Sequence, residues 1–439
     1  MFLQTYAKLA MPDGKSDEFS LNCYFCGMFM NRIRILFLIF NSAFLIPNSF
    51  AGGFQVNLQG QRQTGMGHTG TGYLTDAATI LFNPGGMGWL DTMVNICGGV
   101  SFIIPRTQYL EAFPGTYTAE MVHNTGTPFE FYYSASLNKN IYAGVGIYTP
   151  FGSRAQWSDD WKGQFIIREI NLKTIFIQPT LSWKINDKVG VGAGFVIATG
   201  DFSLRKGIPV QNLAEEYGEG NLEGNAMGTG MNAGIYFASG KLSAGLSYRS
   251  PVTAKVDEGD AAFSVPGYLE QYFPATKFSA SINLPSVFSL GLGYKLSSKV
   301  SLAADINLAG WSSYDSLRID FETNTEKLED ISSARNYEDV FIYRLGAEYF
   351  MNHTITLRAG AYYDTSPVPD GYLTPETPDS DRIGLTAGAS FNLKNNLRID
   401  LSLLYNETQK RTDTNLETGF SGTYQTKTII PGIGFSYMF

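Results

Sequence analysis

Beyond residue 92 the chain alternates between apolar and polar positions. Over 396–403, Leu397, Ile399, Leu401 and Leu403 fall on one face, and Asn396, Arg398, Asp400 and Ser402 on the other. Over 299–308, Val300, Leu302, Ala304, Ile306 and Leu308 alternate with Lys299, Ser301, Ala303, Asp305 and Asn307. The same rhythm runs through 354–364. A period of two places successive side chains on opposite faces of a strand, and no sustained 3.6-residue stripe competes with it outside the loops. Strands are predicted at 93–104, 127–138, 140–151, 170–184, 188–204, 224–238, 241–256, 281–296, 299–312, 336–350, 353–364, 381–393, 396–411 and 420–438, fourteen in all.

Length and punctuation decide what kind of sheet these strands make. Soluble strands average about 5–6 residues, whereas a membrane-spanning strand needs about 9–11; most of these reach ten. Six connections are tight, around Lys139, Asn186-Asp187, Ser239-Gly240, Ser297-Ser298, Asn352 and Lys394-Asn395, and the other seven are longer. Short and long alternate without a break, the mark of periplasmic turns and external loops. One face of the strands carries charge and the other is rich in Leu, Ile, Phe and Tyr, as a wet lumen and a lipid-facing wall require. The expectation is an all-β fold: a fourteen-stranded antiparallel transmembrane β-barrel over 93–439. It must close, because an open edge in lipid leaves amides unpaired. Both mature termini then face the periplasm. The last strand puts Ile429, Pro431, Ile433, Phe435, Tyr437 and Phe439 on one face, like the terminal strand of bacterial outer-membrane proteins.

The segment 52–92 has no long alternation. It is rich in Gly and Thr, with Asp76-Ala77-Ala78 and Asn83-Pro84-Gly85-Gly86. It is too long for a simple tail and suits a plug folded into the lumen, for which a fourteen-stranded barrel has room. Ahead of it, residues 30–51 read as a secretory signal: Arg32 and Arg34, an apolar run from Ile35 to Ile46, and small residues at Ser49 and Ala51 before a cleavage site. Residues 1–29 precede a complete signal and read as a non-native upstream extension.

Composition agrees. Charged residues make up 16% of the chain, against about 25% in soluble proteins, yet mean hydropathy is −0.08, too polar for a bundle of membrane helices. A net charge of −8 disfavours a nucleic-acid partner. Only Cys97 lies in the mature part, so no disulfide framework or metal site is expected, and Cys23-x-x-Cys26 has no second pair. His68, His123 and His353 fall in three separate regions, which speaks against a barrel hydrolase. The Gly190, Gly192, Gly194 run lies within a strand and is no nucleotide loop. No cofactor is expected.

The motifs together resemble the FadL/TodX family of outer-membrane transporters of long-chain fatty acids and other hydrophobic compounds. The likeness starts at Gly52-Gly-Phe-Gln-Val-Asn-Leu58, with Asp76-Ala77 and Asn83-Pro84. It continues through Thr149-Pro-Phe-Gly152, Gln178-Pro-Thr180, Leu284-Pro-Ser286 and Trp311-Ser-Ser313. It is fullest over Leu357-Arg-Ala-Gly360, Tyr363-Asp364, Pro367-Val-Pro-Asp370 and Pro378-Asp-Ser-Asp-Arg382. Gly85 departs from it, since the family's hatch usually has Ala after Asn-Pro. The resemblance implies a hatch, the plug inside the lumen. It also implies an apolar groove among the outer loops, an internal pocket reached by Phe54, and passive exit through a gap in the wall made by a kink in the third strand.

The residues fill in this picture. Loop 257–280 carries Phe263, Leu269, Tyr272 and Phe273, and loop 205–223 carries apolar residues at a roughly helical spacing. They could form a groove or simply pack the loops together. Asp76, Asn83 and Pro84 shape the hatch, Asn-Pro favouring a turn. A carboxylate ligand wants a cation, for which Arg154, Arg358 and Arg382 are candidates; salt bridging within the lumen is the competing fate. Gly144 and Gly146 could mark the kink or make room for the hatch. The expected partners are a long-chain fatty acid or another hydrophobic small molecule, with outer-membrane lipid and lipopolysaccharide around a monomer. A diffusion porin or a surface adhesin on the same barrel is the alternative.

Overall fold

The computed structural model describes residues 52–90, 92–393 and 396–439. The upstream extension, the signal peptide, Cys23, Cys26 and the turn at 394–395 lie outside them. Fourteen strands form the wall: β1 Val94–Ser101, β2 Phe129–Ser136, β3 Ile141–Tyr148, β4 Glu169–Lys184, β5 Val189–Gln211, β6 Tyr217–Ser239, β7 Leu242–Arg249, β8 Ser286–Lys295, β9 Val300–Gly310, β10 Val340–Phe350, β11 Ile355–Asp364, β12 Arg382–Asn392, β13 Leu397–Thr408 and β14 Ser421–Met438. Every neighbouring pair is antiparallel. The barrel closes where β1 pairs with both β2 and β14: Ile96 lies opposite Tyr133 on one side and Tyr437 on the other.

The alternation becomes two surfaces. On β13, Leu401 and Leu403 are exposed outward while Arg398, Asp400 and Ser402 are buried inward. On β9, Leu302 and Ile306 face out, and Ser301, Asp305 and Asn307 face in. Lipid solvates the apolar wall, so the usual inside-out argument inverts: the buried face is the polar one.

Several boundaries differ from expectation, all at the outer end. The segment 205–223 is no helix-spaced loop. β5 and β6 run on as one hairpin ladder, Leu204 opposite Leu222 and Ile208 opposite Gly218; Ile208 and Val210 are spaced by two, and that periodicity wins over the looser reading. Most of 257–280 is strand as well. After Ser250-Pro251, which interrupts the ladder for want of an N–H, Val252–Ser264 pairs with Thr276–Leu284, and only a short 3-10 turn, Gly267–Tyr272, lies between. β1 stops at Ser101 and the chain continues as Ile104–Glu111 along β14. β3 stops at Tyr148, and Gly152–Gln156 continues on β4 alone.

The segment 52–90 lies inside. It has two single-turn helices, α1 Gln61–Thr64 and α2 Thr79–Phe82, and a 3-10 turn over Pro84–Trp89. The Asn83 side chain shapes that turn: Oδ1 accepts from Gly85 N at 3.1 Å, while Nδ2 donates to Thr71 O and to the wall at Ile235 O, both at 3.0 Å. Asp76 pairs with Arg398 of the wall at 3.3 Å. The plug touches the wall along glycines. A Cβ on Gly85 would stand 2.6 Å from Gly234 O and 2.9 Å from Gly190 O, which explains the missing methyl. Gly85→Ala should therefore cost about 1–3 kcal/mol by overpacking, seen as faster proteolysis of the hatch in a barrel that still migrates as folded in unheated gels. Gly144 and Gly146 likewise make room, with Ile80 of the hatch against both.

Candidate functional site

One cavity lies among the outer extensions and a second beside the hatch's first residues. The outer one, about 470 Å³, is walled by Phe263, Leu269 and Phe273 with Phe321 and Ile331, and closed on the other side by Ile208 and Val210 of the β5–β6 hairpin. The rings meet, Phe263 at 5.8 Å from Phe273 and 6.2 Å from Phe321. Groove and loop packing thus share residues. Tyr272 stands outside the lining, with the Lys327 ammonium 5.7 Å above its ring. Lys327 and Lys206 border the cavity; neither was singled out from sequence, and only their place on outer extensions beside apolar residues could have suggested it.

The inner cavity, about 220 Å³, is bordered by the hatch's first residues. Phe54 is buried in an aromatic cage, with centroids 4.7 Å from Trp311, 5.7 Å from Tyr314 and 6.4 Å from Phe151. Trp311 and Phe151 come from stretches that carry the family likeness, but nothing in their spacing gave them this role. Here the third strand breaks. The β2–β3 ladder ends at Glu130 opposite Tyr148, and the hatch itself fills the break: Val56 N donates to Pro150 O at 2.8 Å and Gly152 N to Phe54 O at 3.1 Å.

The three candidate arginines are far from equivalent. Arg382 borders the inner cavity, lies 3.3 Å from Asp364 Oδ2, and donates to Gly53 O at 3.3 Å. Arg154 stands at the rim, half exposed, held by Glu169 at 2.9 Å. Arg358 is not at this site. It sits in the wall near the tight turns, donating to Glu348 Oε1 and Ser390 Oγ at 2.7 and 2.6 Å, and salt bridging is its fate. The structure thus brings Phe54 and Arg382 together, with Arg154 at the rim, and leaves Arg358 apart.

Asp379, on the outer segment between β11 and β12, ties this cluster to the hatch. It accepts from Gly53 N at 3.0 Å and Ser366 Oγ at 2.7 Å. Burial pushes its carboxyl up to about 7, against the pull of Arg382. A carboxyl raised on folding takes up protons between its unfolded and folded values, so its contribution is present at lower pH and fades as pH rises through about 7. Trp311 fluorescence should report a looser hatch tip at pH 8 than at pH 5.5, with Asp379→Asn flattening the profile.

The family model described as outer membrane protein transport protein (OMPP1/FadL/TodX) matches residues 43–439, and the chain belongs to this family of outer-membrane transporters of fatty acids or hydrocarbons. Its place is the outer membrane. The chain is 24% identical to a long-chain fatty acid transport protein of Escherichia coli, over 90% of this chain and 96% of that one. In fold it is similar to a FadL homologue of Pseudomonas aeruginosa, with a TM-score of 0.76 at 19% identity, covering 89% and 100% of the two chains. It is also similar in fold to the toluene transporter TbuX of Ralstonia pickettii, with a TM-score of 0.68 at 16% identity, covering 87% and 99%.

Proposed function

We propose that this protein takes up long-chain fatty acids or similar hydrophobic small molecules passively. Ligand enters the outer groove at Phe263, Leu269 and Phe273, moves to the cavity beside Phe54, and leaves sideways when the hatch tip withdraws from the break after Tyr148. Burying an alkyl chain along this path yields about 0.8 kcal/mol per CH₂, enough to draw it across a polar lipopolysaccharide surface without coupled energy. Arg382 is the proposed carboxylate partner, and Arg154 serves at the rim. The protein works as a monomer with both termini periplasmic. One observation carries the reading: hatch residues 54–56 both border the inner cavity and patch the wall, so a ligand that displaces Phe54 also unseals the exit.

The test is extraction of lipid from the purified barrel followed by mass spectrometry. Wild type should retain fatty acid or another lipophile. Phe54→Ala should lose most of it while keeping a heat-modifiable barrel, and unchanged retention removes Phe54 from the path.

A further inference from the structure

The polar side of the hatch segment 54–59 points to a second site. Over Phe54–Gln59 the side chains alternate: Val56 and Leu58 pack with Tyr362, Leu404 and Ile430 on the apolar side, while Gln55, Asn57 and Gln59 border a second, small chamber in the lumen. The opposite wall of that chamber carries Arg249 and Arg344, with His68 between hatch and wall.

Charge is unbalanced there. Among the described residues, every other buried or half-buried arginine has a carboxylate within 4 Å: Arg62 and Arg358 have Glu348, Arg398 has Asp400, Arg382 has Asp364, Arg335 has Glu376, Arg168 and Arg205 have Glu219, and Arg411 has Asp370. Arg249 and Arg344 have none within that distance: Asp305, opposite Arg344 on the β9–β10 ladder, turns its carboxylate to Gly70 N and Thr71 N at 2.8 and 2.9 Å instead. Arg344, 5% exposed, donates from Nη1 to His68 Nδ1 at 2.7 Å and to His68 O at 3.0 Å. A guanidinium only donates, so Nδ1 accepts, and the ring is neutral with its proton on Nε2. His68 Nε2 and Arg249 Nε are both buried without a partner. Two cations and an idle N–H donor thus surround one space, whereas buried charge is ordinarily paired. The space is about 20 Å³, room for one water or a halide-sized ion, and Gln55 and Asn57 of the hatch border both it and the inner cavity.

We propose that this chamber seats a single negative charge: the carboxylate head of a transported amphiphile when the hatch strand shifts, or a small inorganic anion in its place. The inference rests on the transport reading and deepens it with a second seat: the head group that meets Arg382 in the inner cavity passes to Arg249 and Arg344, leaving its tail on the Phe54 side.

The experiment compares full-length wild type, Arg249→Gln, and Arg249→Gln with Arg344→Gln. Binding of oleate and of hexadecanol is measured in detergent, and crystals are soaked in bromide. The Arg249 side chain makes no hydrogen bond among the described residues, so its single variant guards against misfolding of the double one. Weakening of oleate by about tenfold or more, the size of a lost charge-assisted hydrogen bond, with hexadecanol unchanged, identifies the carboxylate as occupant. Bromide density at the chamber in wild type, absent in the double variant, with no oleate preference, identifies an inorganic anion and also supports the seat. Oleate and hexadecanol bound alike by all three proteins, with no bromide density, overturn it. Failure of wild type to bind either amphiphile would instead strike the transport reading.

Discussion

Glu348→Ala should be the most damaging single substitution in the lumen. Glu348 is 1% exposed and lies on the inward face of β10. It accepts from Arg62 Nη2 at 2.8 Å, from Arg358 Nε at 2.7 Å and from Tyr73 Oη at 2.7 Å. Two of these donors belong to the hatch and one to the wall, so a single carboxylate clamps plug to barrel. Its removal strands two buried guanidiniums, and breaking a buried pair in this way costs about 3–5 kcal/mol. The wall has its own ladder of backbone bonds and should persist. The hatch depends on such clamps and should loosen. A lower urea midpoint together with rapid proteolysis after Arg62 would bear this out; a hatch as resistant as wild type would mean that Asp400 and Asp76 compensate.

Removing the hatch outright should have the larger functional effect. Residues 52–90 fill the lumen with buried side chains from end to end, and a barrel of fourteen strands is wider than the eight-stranded kind that side chains alone can fill. A chain lacking 53–90 should still form the barrel, because none of the fourteen strands includes them. It should then conduct ions steadily in a planar bilayer, where the intact protein conducts little. Steady conductance by the intact protein would instead favour the porin reading.

The lipid-facing half of the architecture was legible because lipid and lumen impose opposite demands on alternate residues, and fourteen strands with their tight turns followed from that. The outer extensions were not. Beyond the membrane neither face meets lipid, so the β5–β6 hairpin near Ile208 and Val210 loses the contrast that makes alternation readable. Alternation along their strands puts Arg358 and Arg382 on the inward face, but parity says nothing about depth. Depth is countable from the turns: Arg358 lies just past the tight turn at His353 and Arg382 at the far end of its strand, which separates a clamp residue at the tight-turn end from a neighbour of Phe54. The clamp itself was hidden, since Arg62 and Glu348 stand 286 residues apart and no local pattern links them. Gly85 read as a deviation from its relatives, and only the backbone of Gly234 against it shows why a methyl has no room.

Uptake by whole cells tests the central claim most directly. In a host lacking its own fatty acid transporter, cells producing this protein should accumulate labelled oleate saturably while staying closed to small polar solutes such as disaccharides. Entry of the polar solutes without oleate accumulation would contradict it.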